Sequence, residues 1–200
     1  SVRDGEMKLV DYSKGKIVQD YEIEKSSLRN GTKVVFQPDS EIFKNFHYLP
    51  EYIEDQIWNY VYLNSGLNIQ FNGEKYFSEN GLKDLLERKT DMEKIRYPII
   101  HLRGDDIEVA LTHGDQYGEE YYSFVNGQHT TQGGTHLAAF REAIVRTMRE
   151  YYKKDFDASD IRASIIGAIS FRIQNPVFES QTKTRLGSIE LSDDGPTVRI

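Results

Sequence analysis

One passage limits the fold more than any other. Thr135 to Lys154 reads as a single long amphipathic helix, and the chain then enters "RASIIGAISFRIQNP", a long apolar strand ended by Pro176. At about 100° per residue, Phe140, Tyr151, Ile144, Leu137, Met148, Tyr152, Val145 and Ala138 fill one arc of roughly 160°. Arg146, Arg149 and Lys153 lie together on the opposite side, either as a solvated face or as a surface for an anionic polymer. Arg141 falls inside the apolar arc. A guanidinium there needs burial beside a carboxylate, with Asp160 as the expected partner, or an interface.

Charge is distributed unevenly along the chain. The formal net charge is −7, yet residues 133–185 hold nine Lys/Arg against six Asp/Glu, while residues 1–132 hold 15 against 23. The surface as a whole is therefore no nucleic-acid footprint, and an anionic partner is expected at the C-terminal third. With no cysteine, disulfides and thiolate metal sites are excluded, and a reducing cytoplasm is the expected compartment. No apolar run approaches the roughly 18 residues of a membrane span, and no membrane partner is expected. The chain opens without Met and stops at "GPTVRI", which reads as a piece of something longer.

Upstream, "EMKLVDYSKGKIVQDYEIEK" alternates around Ser13-Lys14-Gly15-Lys16 as a hairpin, and Thr32–Phe36 reads as a further strand closed by Pro38. The polar passage from Asp39 is the expected domain boundary. Pro50 opens a helix that Gly66 stops, "LNIQF" and "EKYF" form a hairpin across Asn72-Gly73, and a short helix covers Leu82–Arg88. "PIIHLRG", "IEVALTHG" and "EEYYSFVNG" follow as strands. The order predicts an α+β domain.

Catalytic motifs are scarce. There is no phosphate-binding G-x-x-x-x-G-K-[ST] and no nucleophile–base pair, and the five histidines never reach metal-ligand spacing. No metal site is expected. Asp105, Asp106 and Glu108 read as solvated charge at a hairpin turn, and Asp193-Asp194-Gly195 as a polar turn. "FESQTKTRLGS" stands apart. If extended, it projects Gln181 and Lys183 on one face about 7 Å apart, an amide and an ammonium suited to a terminal phosphate. The alternative is a solvated loop.

Three stretches in this order, "RNGTKVVFQPDSEIF", "VNGQHTTQGGTHLAAFREAIVRTMREYY" and "SDIRASIIGAISFRIQNPVFESQTKTRLGS", resemble the B subunits of bacterial type IIA DNA topoisomerases. Gln132 before the glycine pair is similar to topoisomerase IV more than to gyrase, which usually has Glu there. The resemblance implies that residues 1–38 are the last strands of a GHKL-type ATPase domain. Residues 39–200 are then a transducer domain, a sheet packed by helices with a left-handed βαβ crossover as in a ribosomal-protein domain, its final helix cut short. It further implies that Gln181 and Lys183 contact the γ-phosphate of ATP, Lys183 stabilising developing charge, and that Thr32 helps hold the adenine. Arg146, Arg149 and Lys153 would face a DNA cavity.

ATP and Mg²⁺ would act in the full enzyme, with no nucleotide held by this piece and no turnover by it alone. The partners implied are a DNA duplex, the topoisomerase A subunit and a second B subunit, in the bacterial cytoplasm at the nucleoid. Two other readings stay open. One is a non-enzymatic nucleic-acid-binding module of ribosomal-protein-like fold; the other is a different GHKL machine, such as a mismatch-repair or chaperone ATPase.

Overall fold

The computed structural model describes residues 1–190, which form two compact units, Ser1–Leu49 and the part from Pro50 onward. The break falls at Pro50, beyond the polar passage at Asp39 where the sequence places a boundary. In the first unit, β1 (Val2–Arg3), β2 (Glu6–Met7) and β5 (Glu24–Lys25) make a small antiparallel sheet, and β3 (Val10–Ser13) pairs with β4 (Lys16–Asp20). Lys14 and Gly15 close that hairpin with φ of 49° and 77°, the mirror-image turn whose twist suits paired strands. Gly31 bridges Val2 through two backbone bonds, but Thr32–Phe36 joins no sheet among the described residues, so the strand expected there is absent.

The second unit is built in three layers. Helix α1 (Pro50–Leu63), the hairpin β6 (Asn68–Phe71) and β7 (Glu74–Phe77), and helix α2 (Leu82–Lys89) precede a five-stranded sheet. Its strands are β8 (Ile100–Arg103), β9 (Ile107–His113), β10 (Glu120–Val125), β11 (Gln128–His129) and β12 (Ile165–Phe171), ordered β11-β10-β12-β9-β8. Helix α3 (Thr135–Tyr152) and the short α4 (Ala158–Arg162) carry the chain from β10 to β12, and those two strands are parallel neighbours with Tyr122 opposite Ala168. The remaining pairs are antiparallel.

The apolar run of β12 has a simple cause. Ile166 and Ala168 pack with Leu82, Leu85 and Leu86 of α2, whereas Ile169 and Phe171 pack with Phe140 of α3. Both faces of the strand are covered, so alternation disappears from its sequence. Gly167 lets the α3 side approach: a Cβ there would stand 3.2 Å from the Phe140 ring. Glu108 departs from the solvated charge expected of it. Its side chain is only 17% exposed, and Oε1 accepts from the Leu82 amide at the start of α2 (3.0 Å), with His101 Nε2 2.9 Å away. It satisfies an orphan helix N–H and lies at the favourable end of the helix dipole.

Candidate functional site

After Pro176 the chain folds back on itself. The Glu179 amide donates to Arg185 O (3.1 Å), and the amides of Gly187 and Ser188 both donate to Val177 O (2.8 and 3.2 Å). Between these legs Ser180–Lys183 form a β-turn, closed by the Lys183 amide on Ser180 O at 3.0 Å, with Ser180 and Thr182 hydroxyls 2.7 Å apart. Lys183 itself has φ of 56°. The extended course expected of this loop is therefore corrected: a turn, not strand alternation, presents Gln181 and Lys183. Both are exposed, as is Thr182. Arg185 pairs with Glu179 at 3.1 Å, and Lys183 makes no ion pair among the described residues.

The base of this loop is fastened to the start of α3. The Gln132 amide donates to Thr184 O (2.9 Å), Leu186 N–H to Gly133 O (3.1 Å), and Thr135 N–H to Leu186 O (3.2 Å). The Thr135 hydroxyl also donates to Ser188 O. Gly134 is required by contact and conformation together. Its φ is 133°, and an added Cβ would stand 2.3 Å from Leu186 O and 2.6 Å from Leu186 N, both fixed backbone atoms. Beneath the clasp His136 is fully buried, edge-on to Phe171, with Nε2 3.1 Å from the Thr130 hydroxyl. The same hydroxyl also lies 2.9 Å from Ser123 O and 2.7 Å from Ser123 Oγ, and Nδ1 of the ring has no hydrogen-bond partner. Burial holds the ring's pKa down to about 4, leaving it neutral.

The basic residues of α3 separate into three kinds. Arg146 is 70% exposed, with only a 4.0 Å approach to Glu150. Arg149, expected on an exposed face, is half-buried and committed: Nε and Nη2 donate to Phe156 O (2.9 and 2.7 Å), and Asp155 lies 3.1 Å away. It ties the helix end to the following loop. Lys153 is exposed and takes the left-handed position that ends α3, φ 51°. Arg141 is paired as expected but not largely buried, its side chain being 41% exposed, and the partner is Glu119 rather than Asp160. Nε and Nη2 reach the two carboxylate oxygens at 2.9 and 2.8 Å, a bidentate fork. Glu119 also accepts from Arg162 (3.2 Å) and from the Tyr121 hydroxyl (2.7 Å). Sequence reading missed this hub, because nothing local to Glu119 signals two arginines 22 and 43 residues away. Thr32 lies in the first unit, exposed, with its hydroxyl 3.3 Å from that of Ser1. Among the described residues no group of three or more His, Asp or Glu could hold a metal. Asp193–Gly195 lies outside the described residues.

The DNA gyrase B family matches residues 69–194. The chain belongs to that family. The B subunit of topoisomerase 4 from Borreliella burgdorferi is 41% identical over 190 residues, covering 95% of this chain and 32% of that protein. The B subunit of DNA gyrase from Thermotoga maritima is 32% identical over 217 residues, 96% of this chain and 34% of that one. The chain thus spans about a third of the length of these relatives. Among solved structures, the 43K ATPase domain of Thermus thermophilus gyrase B, in complex with an aminocoumarin, superposes with a TM-score of 0.75 at 25% identity, over 93% of this chain and 56% of that one. The topoisomerase IV ATP-binding domain of Francisella tularensis, at 24% identity and a TM-score of 0.68, shows the same mixed α/β fold.

Proposed function

We propose that this chain is the transducer part of an ATP-dependent type II DNA topoisomerase, with Ser1 to about residue 38 supplying the last strands of a GHKL ATPase domain. The observation that carries it is the Gln181-Thr182-Lys183 turn, exposed at its tip and fastened at its base to a long helix. In this reading the tip meets the γ-phosphate of ATP: Gln181 donates a hydrogen bond, and Lys183 supplies charge that strengthens as negative charge develops on the transferred group. Thr32 would contact the adenine. Loss of the γ-phosphate removes the contacts of the tip, which is the differential affinity needed to shift a domain and so to couple hydrolysis to clamp closure and strand passage.

The implied cofactors are ATP and Mg²⁺, and the partners a DNA duplex, an A subunit and a second B subunit, in the bacterial cytoplasm at the nucleoid. The higher identity to a topoisomerase 4 relative than to a gyrase relative supports the former as the parent enzyme. The piece alone should hydrolyse no ATP. Of the three basic candidates, Arg146 and Lys153 fit a DNA-facing role better than Arg149, which is engaged with Phe156 and Asp155.

The test is Lys183→Ala in the full-length protein at saturating ATP and DNA. Loss of a charge-assisted contact made mainly in the transition state should lower turnover by roughly tenfold or more. Arg185→Ala, which removes a neighbouring charge, should leave turnover near wild type. Equal rates for wild type and Lys183→Ala would reject the phosphate-sensing reading.

A further inference from the structure

We infer that the Gly133-Gly134-Thr135-His136 segment is a positioning clasp that makes the Gln-Thr-Lys turn and helix α3 one rigid piece, so that Gly134 and Thr135 set the reach of Lys183 without touching nucleotide. The inference rests on the γ-phosphate reading above for its effect on turnover, while the clasp itself stands on geometry.

Four hydrogen bonds join residues 132–135 to residues 184–188, three of them backbone to backbone. They alternate in direction. Gln132 and Thr135 donate across to Thr184 and Leu186, while Leu186 donates back to Gly133. Such a two-way ladder fixes register, and a shift by one residue would break every member. Gly134 fixes the separation as well, because its missing side chain is the space that the Leu186 backbone occupies. On the inner side, fully buried Leu186 packs with Phe140 and Ile169, and buried His136 holds the first turn of α3 to Thr130 and Phe171. The ladder is thus clamped between a buried side chain on each strand. Lys183 lies three residues from Leu186. Arg146 lies eleven residues along α3 from Thr135, about 16 Å at 1.5 Å per residue. A displacement of the turn by a phosphate must therefore move α3, and a displacement of α3 must move the turn. The clasp connects the nucleotide-facing tip to the helix that bears the exposed Arg146.

Thr135 offers the cleanest test, since Thr135→Val removes the hydroxyl bond to Ser188 O while keeping the shape. In the full-length protein this variant should lower kcat by roughly two- to tenfold, the worth of one neutral hydrogen bond, with KM for ATP little changed. Thr135→Ser, which restores the donor, should return kcat toward wild type. On a Lys183→Ala background Thr135→Val should have no further effect, because the lysine that the clasp positions is gone. Amide exchange at Leu186 should also quicken in Thr135→Val. Gly134→Ala should abolish turnover or folding; a folded Gly134→Ala with wild-type kcat would overturn the proposal.

The two ideas fail separately. If Lys183→Ala lowers turnover while Thr135→Val does not, or if the two effects multiply, the clasp is not a positioning device and the proposal falls. If Lys183→Ala turns over at the wild-type rate, the phosphate reading falls instead. Exchange at Leu186 then decides the clasp alone, and unchanged exchange in Thr135→Val would sink it.

Discussion

The two units of this chain carry similar strand-like sequences and put them to different use. In the second, the apolar residues of β12 are covered by α2 on one face and α3 on the other, and the strand is buried from Ile165 to Ile169. In the first, Ile17 and Val18 of β4 and Val34, Val35 and Phe36 beyond Gly31 are exposed, Val35 by 82%. β4 is hydrogen-bonded to β3 as β12 is to β9 and β10. What differs is a layer to pack against. A sheet stabilises itself only when one face is removed from water, and a two-stranded ribbon alone is marginal. Under the proposed reading these exposed apolar residues pack against another surface. That surface would be the remainder of an ATPase domain.

Core truncation should separate the units most sharply. Phe124, in the second unit, is 1% exposed, packs in one core with Leu82, Leu85, Leu86 and Ala168, and stacks on His129. Phe124→Ala should cost about 3–5 kcal/mol in urea unfolding of the second unit. Val35→Ala, an aliphatic truncation of the first unit, should stay within about 0.5 kcal/mol. Comparable losses for the two would mean that the first unit has a core of its own.

Acid should act next, again on the second unit. Burial holds His136 down to about 4, against an ordinary value of 6.5. The unfolded chain therefore binds a proton between those values that the folded chain refuses. This contribution is complete above pH 6.5 and is lost as pH falls toward 4, on the order of 3 kcal/mol in total. His136→Gln should flatten the stability profile between pH 6.5 and 4. An unchanged slope would show that the ring is not neutral in the fold.

Glu119 should follow at a lower pH and a smaller size. Partial desolvation pulls its carboxyl up, but hydrogen bonds from Arg141, Tyr121 and Arg162 outweigh that and hold it below the ordinary 4.5. Its folded value being depressed, the stabilisation is present above pH 4.5 and is lost only as pH falls through the lower folded value. Glu119→Gln should cost about 1–3 kcal/mol at neutral pH, since two arginines lose their shared partner. A cost indistinguishable from zero would make the cluster ornamental to the fold.

Much of this architecture was legible in the sequence where a period or a turn residue reports local geometry. The α3 pattern and the Asn72-Gly73 and Lys14-Gly15 hairpins appear within a residue or two of their expected places, and the apolar strand is found as β12 but stops at Phe171, five residues short of the expected end at Pro176. Two kinds of feature were not legible. Thr32–Phe36 has strand composition without a strand, because propensity does not supply a partner. The Arg141 partner, the capping role of Glu108 and the ties from Leu186 to Gly133 and Thr135 depend on residues far apart in sequence that only the folded chain brings together. The site was half legible for the same reason. The residue types of the Gln-Thr-Lys tip carried their chemistry openly, but the base of the loop at Leu186 abuts Gly134, far away along the chain and in contact only through the fold.

The smallest expected effect tests whether the contrast between units extends to their turns. Both hairpins close with the same geometry: φ is 49° and 77° at Lys14-Gly15, and 51° and 89° at Asn72-Gly73. A left-handed residue costs most side chains roughly 1–2 kcal/mol, and Asn is among the few for which the cost is lower. If turn chemistry is local, exchanging the residues should shift each hairpin by about 0.5 kcal/mol in opposite directions. Lys14→Asn should slow amide exchange at Lys16 in the first unit despite losing the exposed contact with Glu41, 2.8 Å long, since exposed pairs contribute little. Asn72→Lys should quicken exchange at Glu74 by a similar factor. A response in only one hairpin would show that the turn energy depends on the layer behind it, and the difference between the units would then reach down to single residues.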